Sequence, residues 1–193
     1  MVTYHRHATP ILADTHKSNA FKIVMKVVFE KFNQHRHAQT VFFHDRKIPN
    51  SLDLFARNCT LFEYTNDIDT TTKAEFHMDA LNFLQFFTHT YSPVDLFWFD
   101  PPFSSRQSNE IYEGHVNIYT DPAYVQKLYE FLPKMLRPNG LFVKWGYNTN
   151  NPMPSLLELE DVFTFTQGGN LNDVNVTIYR NTVVNFWRGY DGS

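Results

Sequence analysis

Pro93-Val94-Asp95-Leu96-Phe97-Trp98-Phe99-Asp100-Pro101-Pro102-Phe103 is the stretch on which the fold turns. The run from Val94 to Phe99 has the length and the aromatic content of a buried strand. It ends in an acid, two prolines and a ring. Proline gives no N–H to a ladder and fixes its own φ, so the strand stops there and the chain leaves on a stiff loop. Asp100 and Phe103 are thereby presented at a strand's carboxyl end. In an open α/β sheet that edge is where ligands bind.

Upstream, acids recur at strand ends. Ser51 to Phe55 reads as a strand running into Ala56-Arg57-Asn58, and Leu61 to Ile68 as a second with Asp67 and Asp69 at its tip. Phe76 to Ala80 reads as a short third strand carrying Asp79, and Ala80 to Phe87 as a helix. Each acid alone suits a helix N-cap. On parallel strands, Asp53, Asp67, Asp79 and Asp100 stand along one edge. The links after Asp53 and Asp69 are shorter than the dozen or so residues of a helical crossover, so they are expected as turns or a short helix. Phe21, Val24, Met25, Val28, Phe29 and Phe32 predict a helix from about Asn19 to Phe32, capped by Ser18 or Asn19. That helix is free to cover the face left bare, with Lys22, Lys26 and Lys31 in solvent. Thr40 to His44 reads as extended.

Downstream, Ser104 to Gln107 and Ile111 to Gly114 form a polar loop. Asp121-Pro122 opens a helix with a stripe of Tyr124, Leu128, Phe131 and Leu132, ending near Pro133. Leu136 to Gly140 is expected as a turn and Leu141 to Gly146 as the fifth strand. Tyr147 to Pro152 is a polar loop at the same edge. Leu156 to Asp161 is expected as a short helical link, followed by an antiparallel hairpin of Val162–Thr166 and Val174–Tyr179.

Composition sets the frame. The chain of 193 residues suits a single domain, with residues 1–18 a loose lead-in, 19–34 the helix, 51–179 the core and 185–193 a tail. No apolar run reaches the length of a membrane span, and no leader pattern opens the chain. Cys59 is the only cysteine, which excludes an intrachain disulfide and suits a reducing compartment. The cytoplasm of a bacterial or archaeal cell, or of a virus-infected host, is expected. His5-Arg6-His7 and His35-Arg36-His37 share their spacing with no Cys or carboxylate, so no metal site is expected. A net charge of −3 rules out a uniformly basic surface, so nucleic-acid binding would need a local basic face.

Asp100-Pro101-Pro102-Phe103 matches the (D/N/S)-P-P-(Y/F) signature of S-adenosylmethionine-dependent methyltransferases that modify exocyclic amines, chiefly N6 of adenine in DNA. Leu136-Arg137-Pro138-Asn139-Gly140-Leu141 resembles the turn before the fifth strand in that class. The chain from about Ser51 to Tyr179 resembles a small phage- or archaeal-like form lacking a target-recognition domain. The resemblance implies a Rossmann-like class I methyltransferase fold: α/β, a mostly parallel seven-stranded sheet and a C-terminal antiparallel hairpin. It implies that Asp100 and the Pro101 carbonyl grip the target amine, that Pro102 stiffens the loop and that Phe103 stacks on a flipped base. Asp53, Phe55, Ala56 and Asn58 take the place of the motif that meets the methionine part of the cofactor. Its G-x-G is absent, and a small Ala and an Asn tolerant of left-handed geometry stand instead. Asp67 falls where the ribose is held, with Asp69 as the alternative, Ile68 where the adenine packs, and Asp79 with Ala80 where the adenine amine is met. Ser104 and Arg106 are candidates for the base or its phosphates, and Tyr147 and Asn148 for the target pocket.

The expected activity is N6-adenine methylation of DNA with S-adenosylmethionine as cofactor. Short loops, a homodimer or a specificity partner would then choose the target, which is expected to be short or relaxed. Guanine-N2 methylation of ribosomal RNA is the alternative within the enzymes. A non-catalytic nucleic-acid- or partner-binding subunit is the alternative outside them, and the missing glycines favour it.

Overall fold

The computed structural model describes residues 1–9, 11, 15–34, 47–102, 121–167 and 172–183. Along the chain these form β1 (Thr3–Ala8), α1 (Asn19–Gln34), β2 (Ile48–Asp53), β3 (Phe62–Thr65), α2 (Ala80–Thr90) and β4 (Val94–Phe99). Then come α3 (Pro122–Tyr129), α4 (Leu132–Met135), β5 (Leu136–Gly146), β6 (Leu157–Thr166) and β7 (Val174–Asn181). All strands join one seven-stranded sheet in the order β1-β6-β7-β5-β4-β2-β3. Pairings are parallel except that β7 runs antiparallel to both β5 and β6. This is the α/β, mostly parallel sheet with a C-terminal hairpin that the sequence implied. From β2 the chain steps outward to β3, then returns to place β4 on the other side of β2. The β2–β4 boundary is therefore a topological switch point.

Alternate residues of the central strands serve two cores. Leu96 and Trp98 face α1, whose Ala20, Phe21, Val24, Met25, Val28 and Phe32 are buried against them with Val143 and Trp145. Phe97 and Phe99 face the other helices, against Phe83, Leu84 and Phe87 of α2, Leu128 of α3 and Leu132 of α4. Ser18 caps α1: its Oγ accepts the Phe21 N–H at 3.1 Å. The link from Leu54 to Leu61 carries no helix and returns on the α1 side, where Cys59 is buried among Ile48, Phe62 and Trp98. One N-terminal helix thus covers the face that trimmed crossovers leave open.

Several expectations need correction. The lead-in holds β1, paired with β6 from Thr3↔Asp161 to Ala8↔Thr166. Its half-buried positions are His5 and His7, and His5 stacks on Phe163 at 4.3 Å. Histidine in the inward positions hides an alternation that apolar residues would have shown. Leu156 to Asp161 is no helical link, since β6 begins at Leu157; Leu157-Glu158-Leu159-Glu160 has the strand's period of two. Leu136 to Gly140 lies within β5, with a register irregularity opposite Val94–Leu96. Asn139 is left-handed there at φ 63°, and a Cβ on Gly140 would meet the Arg137 carbonyl at 2.8 Å. The turn residues make a bulge inside a strand. The third strand shrinks to one bridge between Asn66 and Phe76. The first helix after Asp121 ends at Tyr129, and Pro133 falls in the first turn of α4. Thr40–His44 and residues 185–193 lie outside the described residues.

Candidate active site

Two acids flank the switch point. Asp53 ends β2, beside Trp98 of β4, and is 4% exposed. Its Oδ1 accepts the Phe55 N–H at 3.2 Å. Loss of water, and next the charge of Asp100, push its carboxyl well above the usual carboxylate range. Asp100 follows β4 directly. Burial pushes it up to about 7, against a hydrogen bond from the Thr15 side chain. Thr15 opens the short helical turn before α1, and its carbonyl accepts both the N–H and the hydroxyl of Ser18, at 2.9 and 2.6 Å. Among the described residues, no cation is set beside either acid.

Asp67 stands with these acids, and its charge raises Asp53 further. Its work is internal. Oδ2 accepts the Arg57 N–H at 2.9 Å and Oδ1 the Asp69 N–H at 3.0 Å. Arg57 adopts φ 48°, so the left-handed residue of the turn replacing the glycines is the arginine. Ala56 is buried and donates its N–H to the Asn66 carbonyl at 2.9 Å. Asn58 accepts the Lys73 N–H at 3.3 Å. Phe55 packs edge-on against Phe99 at 5.4 Å.

Asp79 follows the bland expectation. Its Oδ1 caps α2 by accepting the N–H groups of Leu81 and Asn82, at 3.0 and 3.1 Å, and its Oδ2 accepts the Tyr124 hydroxyl at 2.6 Å. Ala80 is buried behind it, and Ile68 is half-buried at the β3 tip. Asn66 was not anticipated. Its amide donates to the carbonyls of Leu54 and Met78, at 3.3 and 3.1 Å, and its oxygen accepts the Met78 N–H at 3.1 Å. One side chain thus ties three segments of the rim together. An Asn at a strand end was the only signal.

A cleft of about 510 Å³ opens on the opposite side of the sheet edge. Pro101, Pro102, Tyr129, Lys144, Tyr147 and Asn148 are among its lining residues. Phe99 pairs with Lys144, so both point to the α3 side, and the next residue, Asp100, turns to the α1 side. Asp53, Asp67 and Asp100 therefore share the rim with the cleft without lining it, and Pro101-Pro102 is the joint between them. Lys144 is buried; its Nζ donates to Asn148 Oδ1 at 3.0 Å and to the Asn150 carbonyl at 2.7 Å. Burial pulls it down to about 8. A lysine inside Leu141-Phe142-Val143-Lys144-Trp145 was the signal that could have found it. Phe103, Ser104 and Arg106 lie outside the described residues. Among the described residues, no group of His, Cys, Asp and Glu could hold a metal ion.

No family model matches the sequence, and no curated protein matches it. Solved structures do. The N-methyltransferase NodS from Bradyrhizobium japonicum WM9 aligns with a TM-score of 0.50 at 11% identity, over 86% of this chain and 98% of that one. The fold is that of class I methyltransferases. A SAM-dependent methyltransferase from Agrobacterium tumefaciens aligns at a TM-score of 0.48 and 15% identity, over 81% of this chain. The chain spans only 61% of the length of that protein. In this class I fold, the β2 and β4 tips at the switch point carry Asp53 and Asp100.

Proposed function

We propose that the protein transfers a methyl group from S-adenosylmethionine to an exocyclic amine, N6 of adenine in DNA. The observation that carries this is the pair Asp53, buried, and Asp100, half-buried, at the switch point, with no counter-ion among the described residues. Buried carboxylates are costly unless paired. A sulfonium donor with an α-ammonium group is the complementary charge, so the residues fit the cofactor. Asp53, Phe55, Ala56 and Asn58 would hold its methionine end, and Ile68 and Ala80, with Asp67 and Asp79 behind them, its adenosine end.

The bound donor supplies an electrophilic methyl group. The chain prepares the nucleophile. An exocyclic base nitrogen attacks poorly because its lone pair is delocalised into the ring. Ionised Asp100 accepts one N–H and the Pro101 carbonyl accepts the other, drawing the nitrogen towards a tetrahedral shape and fixing its approach. An acid titrating near neutrality is also suited to receive the proton that the amine sheds after transfer. The cleft beside Pro101 and Pro102 has a volume ordinary for a small-molecule site. Tyr147 and Asn148 line it, with Phe103, Ser104 and Arg106 the further candidates for gripping a flipped base and its phosphates.

One observation favours a second reading. The N–H groups of Ala56 and Arg57 are spent on Asn66 and Asp67. A subunit that kept the fold without catalysis would tolerate that. Incubation with methyl-labelled cofactor and unmethylated DNA or RNA, then nucleoside mass spectrometry, decides between them. N6-methyldeoxyadenosine is the expected product. N2-methylguanosine from RNA would move the acceptor to that base. No product, with no cofactor binding by calorimetry, would favour the inert subunit.

A further inference from the structure

The cleft beside Pro101-Pro102 has a cation in its wall. Lys144 lies near the carboxyl end of β5, between β4 and β7, and is 5% exposed. Asn148 and Asn150 accept two of its N–H bonds, and an ammonium has three. Both partners are neutral. Among the described residues no carboxylate pairs with it, and burial alone moves its titration. A buried charge without a partner is rare, because taking it out of water is returned only by an opposite charge. The neighbouring walls are flat and apolar at Pro101, Pro102 and Tyr129. A ring bearing an oxyanion suits both surfaces. Neighbouring strands lie about 4.8 Å apart. Lys144 pairs with Phe99 at the end of β4, and Pro101-Pro102 leads from the rim that carries Asp100 into the cleft that the lysine lines.

We propose that Lys144 is an oxyanion-binding residue for the methyl acceptor and takes a phosphate of the nucleotide being modified. This rests on the reading of the acceptor as a nucleotide in nucleic acid. The ring would lie along the proline wall and the phosphate at the lysine, with Asn148 and Asn150 holding the ammonium in place.

Titration calorimetry on the intact chain tests it with four probes: deoxyadenosine, deoxyadenosine 5′-monophosphate, inorganic phosphate and acetate. The monophosphate should bind at least about tenfold more tightly than the nucleoside, in keeping with a charge-assisted contact. Lys144→Met should erase that preference and Lys144→Arg should keep most of it. Lys144→Gln serves as the second neutral variant, and thermal melts of the same samples verify folding. Equal affinity for nucleoside and monophosphate, or a preference that survives Lys144→Met, overturns the proposal. So does inorganic phosphate or acetate binding as tightly as the nucleotide, which would assign the lysine to a free anion. The two readings fail separately. A Lys144-dependent preference without methylation of adenine removes the activity and leaves the anion site. Methylation with no such preference removes the anion site alone.

Discussion

Asp100 and Lys144 end and line neighbouring strands, and burial moves them in opposite directions. Asp100 titrates at about 7 in the folded chain, against about 3.9 when unfolded. Between those values the folded state holds a proton that the unfolded state has lost, so this acid's contribution to stability falls as pH rises from about 4 to 7. Asp100→Asn should therefore gain stability over the parent progressively across that window, as read by urea denaturation. Asp100→Ala should lower methyl transfer at least about 100-fold, the scale for removing one preorganised transition-state contact, with cofactor affinity nearly unchanged. Lys144 titrates at about 8 when folded and about 10.4 when unfolded. Between those values the unfolded state binds more protons, so stability rises with pH. At pH 7 the buried ammonium is a burden, and Lys144→Met should stabilise the chain by roughly 1–3 kcal/mol. The gain should shrink from about pH 8 and vanish only well above about 10.4, where the parent lysine is neutral in both states. A destabilised Lys144→Met protein would show that the bonds to Asn148 and Asn150 outweigh the burial of charge.

Elements here survive by substitution. α1 stands in for crossover helices, and Asn66 for most of a third strand. The amides of Val24 and Val28 should exchange as slowly as those of Phe97 and Phe142, since all four residues are buried. Exchange in α1 at the rate of a frayed terminus would mean that the helix does not close the core. Asn66→Ala removes three hydrogen bonds from a buried site and leaves the Leu54 and Met78 groups without partners. A loss of about 2–3 kcal/mol in denaturant titration is expected. The stripe that predicts α1 and the short links that need it are both written in the chain. The clasp is not, because one Asn among Thr65-Asn66-Asp67 looks like a turn until Met78 is brought beside it. β1 escaped for a related reason: its inward side chains are His5 and His7, which gain their apolar character only from the faces of Phe163 and Phe165.

At the scale of the molecule, the strand order places Asp53 and Asp100 side by side although a helix and two strand tips separate them along the chain. Such a rim should respond as a unit to a cationic ligand. A stable product analogue such as S-adenosylhomocysteine retains the ammonium but lacks the sulfonium charge. The sulfonium donor should therefore raise the melting temperature more than the analogue at equal concentration. At 100 times its dissociation constant, either ligand adds about 2.7 kcal/mol to the folded state. No shift with either would sink the cofactor assignment and leave the fold untouched.

The amino-acid sequence by itself determined the central strand, its abrupt stop at Asp100-Pro101-Pro102, the helical stripe of α1 and the closing hairpin. Period, proline chemistry and side-chain shape act locally, so they can be read locally. Only the tertiary structure decided which acids are taken up by the fold's own hydrogen bonds. Asp67 and Asp79 look like Asp53 and Asp100 along the chain, yet backbone N–H groups and the Tyr124 hydroxyl claim them once the rim assembles. Lys144 is read the same way, since only folding buries this cation in the wall of a cleft.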